Sequence, residues 1–102
     1  MKGSYQLSSF TANKEIEVKR LKSQVELFFD KEFEAFKKLG LTDGMQIIEC
    51  GSGPGYLILN ILKHFKKCKA TALEIDPFLF EILSENSVNN GEKIYNPILG
   101  SI

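Results

Sequence analysis

The stretch Ile47-Ile48-Glu49-Cys50-Gly51-Ser52-Gly53-Pro54-Gly55-Tyr56 decides the fold of this chain. It reads as a short apolar strand that ends in an acid, followed by a glycine-rich turn and the start of a helix. Glycines let a backbone come close to a ligand, and a helix N-terminus offers free N–H groups. A strand, such a turn and a helix in this order are typical of a nucleotide-binding site.

The residues before this stretch predict an arm and one long helix. Residues 1–12 are polar with scattered aromatic side chains, which favours an extended arm. From an N-cap at Asn13 to Leu39, steps of three and four dominate between apolar residues. This spacing predicts an amphipathic helix, in one or two pieces, closed by Gly40. Four aromatic residues of this helix are expected to pack in the core rather than to line a substrate site: Phe28, Phe29, Phe33 and Phe36.

The residues after it alternate between helices and strands. Asp76 and Pro77 form a strong helix start, since Asp caps a helix and Pro fits its first turn. The predicted elements are a helix at 56–65, a strand at 70–75, a helix at 77–88 that Asn89-Asn90-Gly91 ends, and a strand at 94–99. Pro97 allows that last strand only at an edge or a bulge. This alternation predicts an α/β fold with a parallel sheet and right-handed crossovers.

Composition limits the class of protein. The 102 residues suffice for one small domain, and 13 basic against 13 acidic residues argue against a nucleic-acid partner. Cys50 and Cys68 lack metal-ligand spacing, so we expect no metal site and read both as reduced thiols of a cytoplasmic protein. No apolar run approaches the roughly 20 residues of a membrane span.

The three glycines Gly51, Gly53 and Gly55 have two readings. They either bring the backbone close to a ligand or merely let a helix pack tightly against the sheet. Glu74, 23 residues after Gly51, favours the first reading, because an acid at about this distance binds ribose hydroxyls in doubly wound folds. The alternative for Glu74 is a solvated acid at a strand end, while Asp76 is better explained as a helix cap.

Glu49 points away from a dinucleotide ligand. An acid directly before the loop repels phosphate and attracts a cation. The spacing also lacks the dinucleotide pattern G-x-G-x-x-G, since residue 56 is Tyr. Both features disfavour an NAD enzyme.

The segments 48–55 and 73–77 resemble motif I and the following motif of class I S-adenosylmethionine-dependent methyltransferases. Every position of an acid, any residue and then G-x-G-x-G is met. The resemblance implies a Rossmann-like three-layer sandwich, here partial, with about three parallel strands in the order 3-2-1 and flanking helices over residues 13–102. Tyr5 and the segment 20–24 more loosely resemble small-molecule methyltransferases of the quinone-biosynthesis type.

The same resemblance implies roles for single residues. Glu49 would orient the loop and the amino group of the methionine moiety, Glu74 would bind the ribose hydroxyls and Ile75 would pack on the adenine. Ser101 stands where the family often has Asp, so its hydroxyl would replace a carboxylate near the adenine amino group. The other implied cofactor contacts come from the loop residues Gly51, Ser52, Gly53 and Gly55.

The family fold has about seven strands, and this chain accounts for three. We therefore expect the cofactor-binding half of a methyltransferase that uses S-adenosylmethionine, yields S-adenosylhomocysteine and methylates a small-molecule acceptor. No catalytic residue is identified, and the alternative is a non-catalytic nucleotide-binding or assembly module. Because the first strand lacks a neighbour on one side, we expect a homo-oligomer formed through that exposed edge.

Overall fold

The computed structural model describes residues 2–101, with side chains from Asn13 onward. Within residues 2–101, three helices and five strands follow one another. They are α1 (Lys2–Lys38), β1 (Gln46–Cys50), α2 (Tyr56–His64), β2 (Lys69–Glu74), α3 (Pro77–Asn86), β3 (Val88–Asn89), β4 (Glu92–Lys93) and β5 (Asn96–Leu99). In the part of the chain so described, no helix has both the length and the apolar character that a bilayer crossing requires.

The main sheet confirms the expected partial Rossmann-like fold. Its strands lie in the order β1-β2-β5, and both pairings are parallel. Because β5 is the third strand of this sheet along the chain, the order from β5 to β1 is the predicted 3-2-1. Pro97 lies in β5, an edge strand, where a missing backbone N–H is tolerated.

All three helices lie on one side of the sheet. Ala70 and Ala72 of β2 are buried there against Ile58 and Leu62 of α2 and Leu83 of α3. The strands step across the sheet in one direction, and each right-handed crossover then places its helix on the same face. The described residues thus form two layers of the three that the resemblance implies.

The other face of the sheet is more open. Ile48 is 65% exposed and Ile98 41% exposed on that side. The consecutive apolar residues Ile47 and Ile48 favour a strand covered on both faces, and this expectation is wrong for the described residues. Consecutive apolar residues point to opposite faces of a strand, but they do not say which chain segment covers each face.

Helix α1 is longer than predicted at its start. The expected extended arm is wrong, since the helix begins at Lys2, and Asn13 lies inside the helix rather than at its N-cap. Its end follows the prediction, because Gly40 adopts a φ of +114°. The N–H of Gly40 donates to the C=O of Lys37 at 3.1 Å, and that of Leu41 to Phe36 at 2.9 Å. These two hydrogen bonds form a Schellman motif.

Two of the four phenylalanines between residues 28 and 36 hold α1 against α2. Phe29 and Phe33 are buried with Ile61, whereas Phe28 is 47% exposed. The ring of Phe33 lies 5.0 Å from those of both His64 and Phe65. The core role expected for this stripe is confirmed for Phe29 and Phe33 and wrong for Phe28.

The segment after α3 forms a small hairpin that sequence patterns did not predict. Strands β3 and β4 pair antiparallel around Asn90 and Gly91, which have φ values of +53° and +77°. Asn-Gly is a strong hairpin turn, but two-residue strands are too short to show an alternating pattern. The helix ends at Asn86, two residues before the predicted end, and the residues expected to end it form the turn of a hairpin.

Strand β1 has a partner only on its β2 side in the described residues. Beside its other edge lies an open groove of about 540 Å³. Apolar side chains from α1, α2 and β1 line most of it, and Leu39 at its rim is 86% exposed. Glu49 is the acid on the groove wall.

Candidate cofactor site

The candidate site lies where β1 and β2 end. Cys50 at the end of β1 pairs with Leu73 near the end of β2. Because the strands are parallel neighbours, the loop after β1 and the turn after β2 meet at the same edge of the sheet. This position is the general binding site of open α/β sheets.

Hydrogen bonds join the glycine loop to the end of β2. The N–H of Ser52 donates to the C=O of Leu73 at 2.9 Å, and the N–H of Gly53 donates to Oε1 of Glu74 at 2.7 Å. The hydroxyl of Ser52 donates to the C=O of Glu49 at 3.1 Å. The loop therefore has a defined shape, set largely by β2.

Glu74 is not the solvated acid of the alternative reading. Its side chain belongs to a residue only 7% exposed, and its Oε2 accepts a second bond from the N–H of Asp76 at 2.9 Å. A carboxylate offers about four acceptor positions, so two bonds leave room for two more. Glu74 thus shapes the loop and retains the capacity to bind hydroxyl groups.

The packing reading of the three glycines is confirmed at Gly55, whereas the ligand reading stays a prediction for Gly51 and Gly53. Gly51 and Gly53 have φ values of +68° and +56°, and a Cβ on either would meet nothing within 4 Å. At Gly55 a Cβ would lie 2.7 Å from both Leu83 Cδ1 and the Tyr95 hydroxyl. The first two glycines leave open space for a ligand, whereas the third permits close packing.

Tyr95 is a residue of this region that sequence reasoning missed. It is buried, and its hydroxyl donates to the C=O of Leu83 near the end of α3. Carbonyls in the last turn of a helix lack partners within the helix, so the tyrosine supplies one. Burial raises the pKa of Tyr95, and the hydroxyl stays a donor. No local sequence pattern predicts a hydrogen bond between residues twelve positions apart.

Glu49 is the unusual group of the site. Its Oε1 is buried and has no hydrogen-bond partner within the described side chains. Burial raises the pKa of this carboxyl. A buried carboxylate oxygen without a partner is costly, and a cationic donor placed beside it would remove that cost. The electrostatics of the site therefore suit a positively charged group.

Asp76 caps α3, as expected. Its Oδ1 accepts from the N–H of Phe78 at 2.9 Å and of Leu79 at 3.2 Å. These bonds, first that of Leu79, hold the pKa of Asp76 below its usual range. Lys14 of α1 lies 3.4 Å from Oδ2. Asp76 is thus occupied by the helix and by α1.

The two remaining predicted residues flank this turn. Ile75 is 67% exposed directly after Glu74, so an apolar surface is open to a ligand. Ser101 follows Gly100, whose N–H donates to the C=O of Glu74 at 2.9 Å, and it is exposed. The fold brings all eight predicted residues to the carboxyl edge of the sheet. Their contacts with a cofactor stay a prediction.

Two solved structures are similar to this chain to different degrees. Mycolic acid cyclopropane synthase CmaA1, in complex with SAH and CTAB, matches with a TM-score of 0.60 and 18% sequence identity over 72% of this chain and 26% of that one. Coclaurine N-methyltransferase, bound to N-methylheliamine and SAH, matches with a TM-score of 0.49 and 20% identity over 78% and 21%. This chain spans about a quarter of the length of the first protein. The first likeness supports the fold alone.

A family profile adds to the structural likeness. The profile described as ribosomal RNA adenine dimethylase matches residues 32–96, more than half of the chain. No curated protein sequence matches. The matched residues include the end of α1, the glycine loop and Glu74, and they confirm the resemblance drawn from motif I. The chain therefore belongs to the ribosomal RNA adenine dimethylase family, within the class I methyltransferases that depend on S-adenosylmethionine.

Proposed function

We propose that this chain binds S-adenosylmethionine at the carboxyl edge of its sheet and acts as the cofactor-binding part of a methyltransferase. The observation that carries the proposal is the buried, unpartnered Oε1 of Glu49 beside the open glycines Gly51 and Gly53. The cofactor is a sulfonium compound with an α-amino group, so it supplies positive charge where the site lacks it. Bound cofactor would present an activated methyl group for in-line transfer to an acceptor.

The residues divide the work by chemistry. Glu49 accepts from the amino group, and Gly51 and Gly53 let the chain lie close to the methionine and ribose moieties. Glu74 uses its remaining acceptor positions for ribose hydroxyls while its bond to Gly53 holds the loop in place. Ile75 offers an exposed apolar surface to the adenine, and Ser101 offers a hydroxyl. Positioning of this kind provides much of the acceleration of a displacement reaction.

We propose an adenine in RNA as the acceptor of the complete enzyme. Family membership supports this choice and is in tension with the expected small-molecule acceptor and with the expected absence of a nucleic-acid partner. The equal numbers of acidic and basic residues favour the small molecule as the second candidate, since phosphate binding needs excess positive charge. Both facts agree if the surface that binds RNA lies mostly outside these residues.

Calorimetry tests the cofactor proposal. S-adenosylhomocysteine, NADH and AMP are titrated in parallel into the folded chain. We expect heat from S-adenosylhomocysteine and little from the other two. A Glu49→Ala variant should weaken its binding, since the amino group loses its acceptor. A folded sample that gives no heat with S-adenosylhomocysteine would contradict the proposal and favour the non-catalytic module.

A gel-shift titration tests the acceptor. A short ribosomal RNA stem-loop containing adenines is titrated at low salt into the chain saturated with S-adenosylhomocysteine. Weak binding that salt abolishes supports an RNA acceptor bound mainly by other parts of the enzyme. No binding even at low salt favours the small-molecule acceptor.

We also propose that the chain self-associates through the free edge of β1. Ile48 is 65% exposed and Leu39 86% exposed, and the groove beside them is apolar. An exposed strand edge with such side chains recruits another strand. Light scattering on a dilution series should show a dimer or larger species, and a monomer at all concentrations contradicts this.

The free thiols of Cys50 and Cys68 support a cytoplasmic location.

A further inference from the structure

Helix α1 reaches the candidate cofactor site as well as the core. Lys14 lies 3.4 Å from Asp76, in the turn after β2. Lys22 lies with its ammonium 5.7 Å from the centre of the Tyr56 ring, at the start of α2. The two lysines are eight residues apart, which is about 12 Å along a helix. One side of α1 therefore follows the site from the turn after β2 to the end of the glycine loop.

The site residues described so far are acidic, so they do not account for the binding of an anionic group of the cofactor. The acids Glu49, Glu74 and Asp76 all lie at this edge of the sheet, and they suit the amino group and the hydroxyls. The methionine moiety also carries a carboxylate, which needs a cationic or N–H donor. A lysine at the end of the glycine loop supplies that charge.

We propose that Lys22 binds the carboxylate of the methionine moiety of S-adenosylmethionine, so that α1 forms one wall of the cofactor site. This inference rests on the proposed function. Tyr56 directly follows Gly55, so Lys22 lies beside the glycine loop, whereas Ile75, the expected adenine contact, follows β2. Its contact with the ring is worth only about 0.5–1 kcal/mol at an exposed site, and an ammonium keeps three donors.

Lys14 is the less suitable lysine for this role. Its Nζ lies 3.4 Å from Oδ2 of Asp76, which follows Ile75, and 5.8 Å from the centre of the Phe78 ring, three residues after Ile75. These contacts place it at the expected adenine end of the site. These contacts connect α1 to the turn after β2.

Two ligands separate the proposal from a general effect on the fold. S-adenosylhomocysteine contains the carboxylate, and 5′-methylthioadenosine has the same nucleoside without the amino-acid group. Both are titrated by calorimetry into the wild type, Lys22→Gln and Lys19→Gln. The last variant is the matched control, because it removes the same charge from an exposed position one turn away on α1.

We expect Lys22→Gln to bind S-adenosylhomocysteine about tenfold more weakly and 5′-methylthioadenosine unchanged. Lys19→Gln should match the wild type with both ligands, and Lys22→Arg should restore most of the affinity. Equal binding by Lys22→Gln and wild type, or an equal loss with both ligands, overturns this inference alone. A wild type that binds neither ligand overturns the proposed function and this inference together.

Discussion

The N–H of Gly53 donates to Oε1 of Glu74 across 2.7 Å, between residues 21 positions apart in the chain. The bond joins the glycine loop after β1 to the last residue of β2. Glu74 therefore has two functions, since the same carboxylate shapes the loop and is the proposed acceptor for ribose hydroxyls. Any change at Glu74 acts on both.

Two replacements of Glu74 should weaken ligand binding to different extents. Glu74→Ala removes both backbone bonds and the proposed ribose contacts, so we expect S-adenosylhomocysteine affinity to fall by about 1–3 kcal/mol or more. Glu74→Gln keeps one acceptor oxygen and should lose less. Calorimetry measures the affinities, and amide exchange at Gly53 reports on the loop. Unchanged affinity in Glu74→Ala would assign the ribose to another residue.

Two glycines with the same backbone angle should respond differently to alanine. Gly44 and Gly55 have φ values of +92° and +91°, but only the Cβ at Gly55 meets neighbours at 2.7 Å. Gly44→Ala should cost about 1–2 kcal/mol of unfolding free energy for its backbone strain. Gly55→Ala adds the overpacking against Leu83 and Tyr95, for a total of about 3 kcal/mol or more. Urea unfolding measures both, and equal losses would show that the neighbours move aside.

Glu49 should make stability depend on pH. Burial raises its pKa in the folded state above the unfolded value of about 4.3, so the protonated carboxyl favours folding. Its contribution is complete below the unfolded pKa and is lost as the pH rises through the raised folded pKa. At pH 7.5 we expect Glu49→Gln to unfold at a higher urea concentration than the wild type, with a free energy of unfolding greater by about 1 kcal/mol. The difference should shrink toward pH 4, and a difference independent of pH would contradict this assignment.

Asp76 should show the opposite pH dependence. Its folded pKa is lowered by the bonds to the N–H groups of Leu79 and Phe78, so its stabilisation is present above the unfolded pKa and is lost as the pH falls through the folded value. Asp76→Ala should cost about 1 kcal/mol of unfolding free energy at pH 7. Asp76→Asn is the control, because Asn also caps helices. If both variants lose equally, the charge and its contact with Lys14 matter more than the cap.

Local patterns were sufficient where the chemistry is local. The Gly40 helix end, the cap at Asp76 and the strand–loop–helix order around Glu49 depend on neighbouring residues. The parallel order of three strands followed from the family resemblance. These features place Glu49, the glycines and Glu74 at one edge before any coordinates are considered.

Contacts between distant residues set the rest. The sequence alone determined an α/β fold of this class with a glycine loop and two acids. Only the tertiary structure decided that Gly55 packs against Tyr95 and that Glu74 bonds Gly53. It also decided that Oε1 of Glu49 is buried without a partner and that Lys22 reaches Tyr56. The physical reason is that burial and hydrogen bonding depend on which segments meet across the sheet, and residue type and spacing do not specify that.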